Sequence, residues 1–359
     1  GDVYKRQLTA SAVRATLPGE TRLTAKGLLA TRDGAAATLD GTVTVESLQL
    51  RDLLGQSGFT LPASLEETAL RQLKLSTDVR GTWGNLGFSN LEASLDTLTV
   101  TGQISPRRSD GLFGATLNVN NLNLAAYGAM GQVPTWLWQL PPLSVSVQFD
   151  RLSLGDAFAQ NVALEAELKD RLLTLKSADA VDFGGNKIRL AGTLSAEAEQ
   201  DADFTLRLIT PDFARFSRDL PLTAPLLPAT LASWLEGTTD LSVRWKRSSG
   251  ETQQMSSVSF PAGRMDVVQT RRTQAPASWK ARVQSRESAT VLARLVPQAL
   301  AQPTAILGPL DLYAEGSALD NNRWQIESIQ GQVAGMTVRD GELVVAPGTA
   351  PRVDGRLLV

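Results

Sequence analysis

The sequence predicts a mainly β protein built of repeated antiparallel meanders, with short helices between the repeats. Two observations carry this prediction: apolar and polar residues alternate along much of the chain, and one strand-then-helix pattern recurs several times. The chain has 359 residues, 42% of them hydrophobic, which suffices for one large or several small folded units.

The alternation is clearest in residues 143–149, 162–168 and 188–194, where apolar side chains occupy every second position, interrupted once by Gly192. Strands with this pattern have one dry face and one wet face. Turn-forming residues separate such segments, as expected for antiparallel meanders. These turn signals are Gly155-Asp156, Lys169-Asp170-Arg171, Gly184-Gly185-Asn186 and Asp320-Asn321-Asn322.

The recurring pattern begins as a strand and ends as a helical turn, because its apolar spacing shifts from two toward three. It occupies residues 43–53, 117–127 and 206–216, and a more polar copy starts at Ala281. The first three copies start 74 and 89 residues apart, and the difference of 15 is about one β-hairpin. A hairpin is therefore the unit that we expect a repeat to gain or lose.

A second pair of similar segments supports the repeat. Residues 61–65 and 227–231 are nearly identical, and Trp136 and Trp234 each precede a new alternating segment by seven residues. The predicted boundaries are a truncated repeat over 8–60, repeats over 61–134 and 135–226, a divergent repeat over 227–303 and a truncated repeat over 304–359.

The first seven residues, GDVYKRQ, differ in character from everything that follows. Residues 2–7 can be written GAT GTG TAT AAG AGA CAG, the mosaic-end adapter of transposase-based sequencing libraries. We expect 1–7 to be adapter-derived and the chain to be a metagenomic fragment open at both ends, with any targeting segment removed.

Composition argues against several classes of function. The chain has no cysteine and no histidine, so the usual zinc ligands and the usual nucleophile–base pairs are missing. Its 35 basic and 37 acidic residues are intermixed, and the pairs Arg107-Arg108 and Arg271-Arg272 are isolated. We therefore expect no enzyme, no metal or other cofactor and no nucleic-acid partner.

The segment around Trp136 and Trp138 permits two interpretations. An indole has an apolar body and a polar edge, so the pair could lie at a membrane headgroup boundary. The favoured interpretation is a helical plug that packs on the end of the sheet, because Trp234 offers the same packing in the other copy.

The dry face of the predicted sheet must be covered, since large exposed apolar areas require a partner. A second sheet, closure of the sheet on itself, or an apolar ligand such as acyl chains could each cover it. Alternation alone does not choose among the three.

Residues 140–216 resemble the repeating module of AsmA-like proteins of diderm bacterial envelopes. The resemblance covers about residues 40–220 and is poor after 245. It is carried by spacing patterns at Leu152–Gly155, Asn161-Val162, Gly184-Gly185, Leu190–Leu194 and Asp212–Phe216.

The resemblance implies a long curved β-sheet with an apolar groove, along which phospholipids pass from the inner to the outer membrane during outer-membrane biogenesis. It also implies a periplasmic location, with an inner-membrane anchor that this chain would lack. The partners would be phospholipid acyl chains and the inner membrane. Candidate groove residues are Val145, Val147, Leu164, Leu168, Leu190 and Leu194. Two alternatives stay open: the same residues could form a closed core, and the protein could be a structural β-repeat of the cell surface without lipid.

Overall fold

The computed structural model describes residues 6–33, 36–58, 61, 65–126, 135–154, 157–196, 201–213, 215–216, 237–273, 275–288, 308–319, 323–346 and 352–358. These residues form two compact units, 1–184 and 185–359. Strands dominate both, which confirms the prediction of a mainly β chain of meandering strands. The unit boundary falls inside the predicted repeat 135–226, and the repeat boundaries themselves stay a prediction.

The first unit contains ten described strands, one α-helix and one short 3₁₀ helix. The strands are β1 (Arg6–Leu17), β2 (Thr21–Asp33), β3 (Ala36–Ser47), β4 (Leu73–Thr82), β5 (Asn85–Leu95), β6 (Leu98–Ser105), β7 (Phe113–Asn123), β8 (Leu143–Leu154), β9 (Ala157–Lys169) and β10 (Leu172–Phe183). The α-helix is α1 (Leu50–Gln56), and the 3₁₀ helix is Thr135–Gln139.

Within the first unit, consecutive strands from β1 to β10 pair with one another. All of these pairings are antiparallel except that of β7 with β8, which is parallel. The expectation of purely antiparallel meanders is therefore wrong at this step. β8 therefore starts at the same end of the sheet as β7.

The second unit contains eleven described strands. They are β11 (Asn186–Ser195), β12 (Ala202–Thr210), β13 (Thr239–Ser248), β14 (Glu251–Phe260), β15 (Gly263–Arg272), β16 (Ala275–Ser285), β17 (Leu310–Leu319), β18 (Arg323–Val333), β19 (Met336–Val338), β20 (Asp340–Ala346) and β21 (Arg352–Leu358). Pairing is antiparallel throughout, and β18 pairs first with β19 and then with β20, on either side of Arg339.

The predicted strand-then-helix pattern is confirmed in two copies. β3 leads into α1, whose Leu50 is buried and whose first amide donates to the backbone oxygen of Arg71. β12 leads into a short helical segment that contains the buried Phe213 and Phe216. After β7 the described residues form a turn at 124–126, and residue 127 lies outside the described residues.

The longer repeat interval has a different cause from the one expected. Strands β4 to β6 lie between the first two copies of the pattern, whereas β8 to β11 lie between the second and the third. The second interval is therefore longer by one strand, not by a hairpin. It also contains the parallel step.

Among the described residues, tight turns join several pairs of neighbouring strands. Asp170 and Arg171, at φ values of 50° and 60°, form the predicted two-residue turn between β9 and β10. Gly184 and Gly185 also have positive φ, as the sequence indicated. The turns predicted at 155–156 and 320–322 lie outside the described residues.

The predicted helical plug is described only in part. Thr135–Gln139 is a 3₁₀ helix, and Trp138 within it is half-buried. The repeated segment 227–231 and Trp234 lie outside the described residues, as does most of 61–65.

Candidate functional site: the apolar sheet face

One face of the first unit carries a continuous row of apolar side chains across all ten strands. Each member lies directly opposite the next in the hydrogen-bonded register, so the side chains share one face of the sheet. The row is Ala15, Leu23, Val45, Leu75, Ala93, Val100, Val119, Phe149, Val162 and Ala180.

The side chains of this row differ in exposure. Val119, Val162 and Ala180 are buried, Ala15 is exposed, and the other six are half-buried. β-branched and aromatic residues favour strands, and their alternation with polar residues directs them to one face. The result is an apolar surface that retains partial access along most of its length.

The four predicted groove residues in the first unit lie on this same face. Val147 lies opposite Leu164, and Leu168 lies opposite Leu143 on the same pair of strands. Val145, Val147 and Leu164 belong to one apolar cluster with Leu98 and Val119. Val147 and Leu168 are buried, whereas Val145 and Leu164 are half-buried.

The other two predicted residues, Leu190 and Leu194, are half-buried and lie on β11 in the second unit. Leu190 lies opposite Leu206, and Leu194 lies opposite Ala202. Gly192 interrupts their alternation because a Cβ there would lie 2.7 Å from the Cα of Phe204, its partner across the ladder. The glycine lets the Phe204 ring occupy that space.

The second unit has its own apolar row, which runs through strands β11 to β17. Its central members Leu208, Leu241 and Val258 are 0% exposed, so this part of the face is fully covered. The row, called the apolar row below, is Ile188, Leu208, Leu241, Val258, Met265, Val283 and Leu312.

Four residues further along β13, the same face becomes partly polar. Four residues on adjacent strands, each directly opposite the next, form the tryptophan–glutamine row: Trp245, Gln254, Gln269 and Trp279. The indole Nε1 of Trp245 donates to Oε1 of Gln254 at 3.2 Å. The amide Nε2 of Gln254 donates to Oγ of Ser256 at 3.3 Å. All four residues are half-buried.

Two residues further still lies the arginine row, which consists of Arg247, Thr252 and Arg271. Both arginines are exposed. Among the described residues that the register places on this face of β11 to β16, Arg247 and Arg271 are the charged ones, and none is a carboxylate. Within the described part of the chain, neither arginine forms an ion pair.

The opposite face of these strands shows a different pattern, because five arginines there are each paired with a carboxylate. Arg244 contacts Asp203 across β12 and β13, and its guanidinium holds the pKa of Asp203 below the usual range, chiefly by hydrogen bonding. The further pairs on this face are Arg207–Asp240, Arg264–Asp266, Arg272–Glu251 and Arg282–Asp311.

A separate open cleft of about 810 Å³ lies in the second unit. Its wall contains the Arg282–Asp311 ion pair together with Tyr313, Gln330 and Gln332. Charged and amide side chains in this wall would lose their hydration against the hydrocarbon of an acyl chain.

No group of three or more possible metal-ligating side chains occurs among the residues that the structure describes. Across that same part of the chain, none of the helices combines the length and apolar character that a membrane span requires.

The chain matches no protein-family model, no curated protein and no solved structure.

The arginine row was not predicted from the sequence, in which Arg271-Arg272 is one isolated basic pair. The structure places these neighbours on opposite faces: Arg272 pairs with Glu251, and Arg271 lies opposite Thr252. The available signal was the alternation along β13, which places Trp245 and Arg247 on the Leu241 face and Arg244 and Lys246 on the other. Only the register across strands shows that Thr252 and Arg271 lie beside Arg247.

Proposed function

We propose that the chain is part of an AsmA-like envelope protein whose apolar sheet face binds or conducts phospholipids between the inner and outer membranes. The observation that carries the proposal is the row of apolar side chains from Ala15 to Ala180 in the first unit, which crosses ten strands without a charged residue. An acyl chain that covers such a row gains about 0.8 kcal/mol for each methylene removed from water.

Partial exposure of the row supports a ligand over a permanent core in the first unit. Phe149, Val100 and Leu75 are half-buried, so further apolar area can still be covered. Under this proposal Val145, Val147, Leu164 and Leu168 line the binding surface of the first unit, and Leu190 and Leu194 belong to that of the second. The protein acts in the periplasm, is held at the inner membrane by a separate anchor and catalyses no reaction.

A structural β-repeat without lipid is the second candidate. The complete burial of Leu208, Leu241 and Val258 favours it in the second unit, because side chains that are already covered offer no contact area to a ligand.

The test is lipid extraction, together with native mass spectrometry, of the protein purified from a diderm host. We expect phospholipid to copurify with the wild type and to be lost from the double variant Val145→Asp/Leu164→Asp. A carboxylate on this face must lose its hydration when hydrocarbon covers it, which is costly.

The matched control is Ser146→Asp/Gln148→Asp, which adds the same charge at two exposed positions of β8. It should retain lipid. Lipid-free wild-type protein with a folded sheet would refute the proposal and favour the structural repeat. If Val145→Asp/Leu164→Asp unfolds the first unit, these two residues are core and not a binding surface.

A further inference from the structure

The face of the second unit passes through three chemical zones along its strands. The apolar row comes first, the tryptophan–glutamine row follows, and the arginine row lies at the far end. Exposure rises in the same order, from 0% at Leu241, through half-buried Trp245, to exposed Arg247. This order of apolar side chain, amphipathic ring and cation is also the order in which membrane proteins place their side chains from the bilayer centre outward.

We propose that the arginine row binds the phosphate of an anionic lipid whose acyl chains lie along the same face toward the apolar row. The proposal rests on the proposed lipid-binding function and adds to it a headgroup site with a preference for negative charge.

The charge distribution supports an anionic ligand. A carboxylate neutralises each arginine named above on the opposite face, as Asp203 does for Arg244. Arg247 and Arg271 are without such a partner among the described residues, and no carboxylate shares their face in β11 to β16. Their two guanidinium groups therefore produce a positive region that an added anion can neutralise.

The geometry suits a phosphate group. Thr252 lies between the two arginines in the register, so their backbones are two strand spacings, or about 10 Å, apart. Two long side chains can converge on one anion from that separation. Guanidinium groups bind phosphate oxygens through paired N–H donors, and the Thr252 hydroxyl can supply a third.

The distance along the strand suits an acyl chain. Six residues separate Leu241 from Arg247, which corresponds to about 20 Å in an extended strand. One leaflet of hydrocarbon is about 15 Å thick, half of a typical bilayer core. If the phosphate of a lipid lies at the arginine row, the ends of its acyl chains could thus reach the Leu206–Val243 pair, where Val243 is fully buried.

The tryptophan–glutamine row lies where the glycerol backbone of such a lipid would fall. Indole rings favour positions between apolar and polar surroundings, and the Gln254 and Gln269 amides can hydrogen-bond ester oxygens.

The experiment is calorimetric titration of the full chain with water-soluble phosphatidylglycerol and phosphatidylcholine that carry the same short chains. We expect the wild type to bind phosphatidylglycerol about tenfold more tightly, as exposed charge-assisted hydrogen bonds allow. Arg247→Gln/Arg271→Gln should abolish that preference by weakening phosphatidylglycerol binding more than phosphatidylcholine binding, because both lipids carry a phosphate but the choline ammonium offsets its charge. Arg271→Lys, which retains the charge, should keep part of the preference.

The control is Arg244→Gln/Arg272→Gln, which removes the same charge from the same two strands on the opposite face. Retention of the preference in this control supports the inference, and an equal loss overturns it by showing an effect of net charge. Equal affinity of the wild type for the two lipids also overturns it, while leaving the proposed function intact. Inorganic phosphate that binds as tightly as phosphatidylglycerol overturns it in favour of a free-anion site. Failure of both lipids to bind overturns the proposed function itself.

Discussion

At the scale of single residues, Asp96 holds the segment between α1 and β4 against the sheet by hydrogen bonds. It lies in the turn between β5 and β6 with a φ of 53°. Its carboxylate accepts hydrogen bonds from the backbone N–H groups of Leu70, Arg71 and Gln72 at 2.7, 2.8 and 3.0 Å. One side chain therefore accepts hydrogen bonds from three consecutive backbone N–H groups that lie just before β4.

We predict that Asp96→Ala lowers the free energy of unfolding by about 2 kcal/mol, because three backbone donors lose a charged acceptor. Asp96→Asn should cost less, since asparagine keeps one oxygen acceptor and tolerates a positive φ. Urea denaturation measures both. Thr97→Ala, one residue further in the same turn, is the control. An equal loss of unfolding free energy in this variant would contradict a specific role for the Asp96 carboxylate.

At the scale of strands, ion pairs between neighbouring strands stabilise the polar face of the second unit. Arg244 contacts Asp203 across β12 and β13, and Arg282 contacts Asp311 across β16 and β17. The hydrogen bond from the partner arginine holds the pKa of each carboxylate below its usual range.

This lowered pKa sets the direction of a pH dependence. A carboxylate with a lower pKa in the folded state contributes stability above its unfolded pKa of about 4 and loses it as the pH falls through the folded value. We predict that the urea midpoint of the wild type falls between pH 6 and pH 3. The double variant Asp203→Asn/Asp311→Asn should show a smaller fall, with lower stability at pH 6. Parallel pH profiles for the two proteins would mean that these pairs contribute nothing.

The strands themselves could be predicted, because alternation is a local property of the sequence. Residues 143–149, 162–168 and 188–194 all lie within strands, and Val147 and Leu164 share a face as their pattern indicates. The parallel step between β7 and β8 could not be predicted, since an alternating strand reads the same whichever way its neighbour runs. The arginine row could not be predicted for a related reason: alternation places Arg247 on the Leu241 face of β13 but does not say which residues of β14 and β15 lie beside it.

At the scale of the whole molecule, the two compact units suggest that the chain can be divided. The second unit contains its own ladder from β11 to β21 and its own fully buried residues, Leu208, Leu241 and Val258. These are the features that an independently folding domain requires.

We predict that residues 185–359, expressed alone, retain a β-sheet circular dichroism spectrum and a cooperative urea transition. A shorter piece that begins at Gly263 should not fold, because it lacks the strands that carry Leu208, Leu241 and Val258. Loss of the cooperative transition in 185–359 would contradict the prediction.

The parallel pairing of β7 with β8 bears on how quickly the first unit reaches its native state. Hairpins such as β4–β5 and β9–β10 close through very short turns and can form within microseconds. β7 and β8 lie much further apart along the chain than the strands of these hairpins, so bringing them together costs more entropy. Strands β1 to β7 and strands β8 to β10 should therefore form early as two separate meanders. Pairing of β7 with β8 should be the late step of refolding.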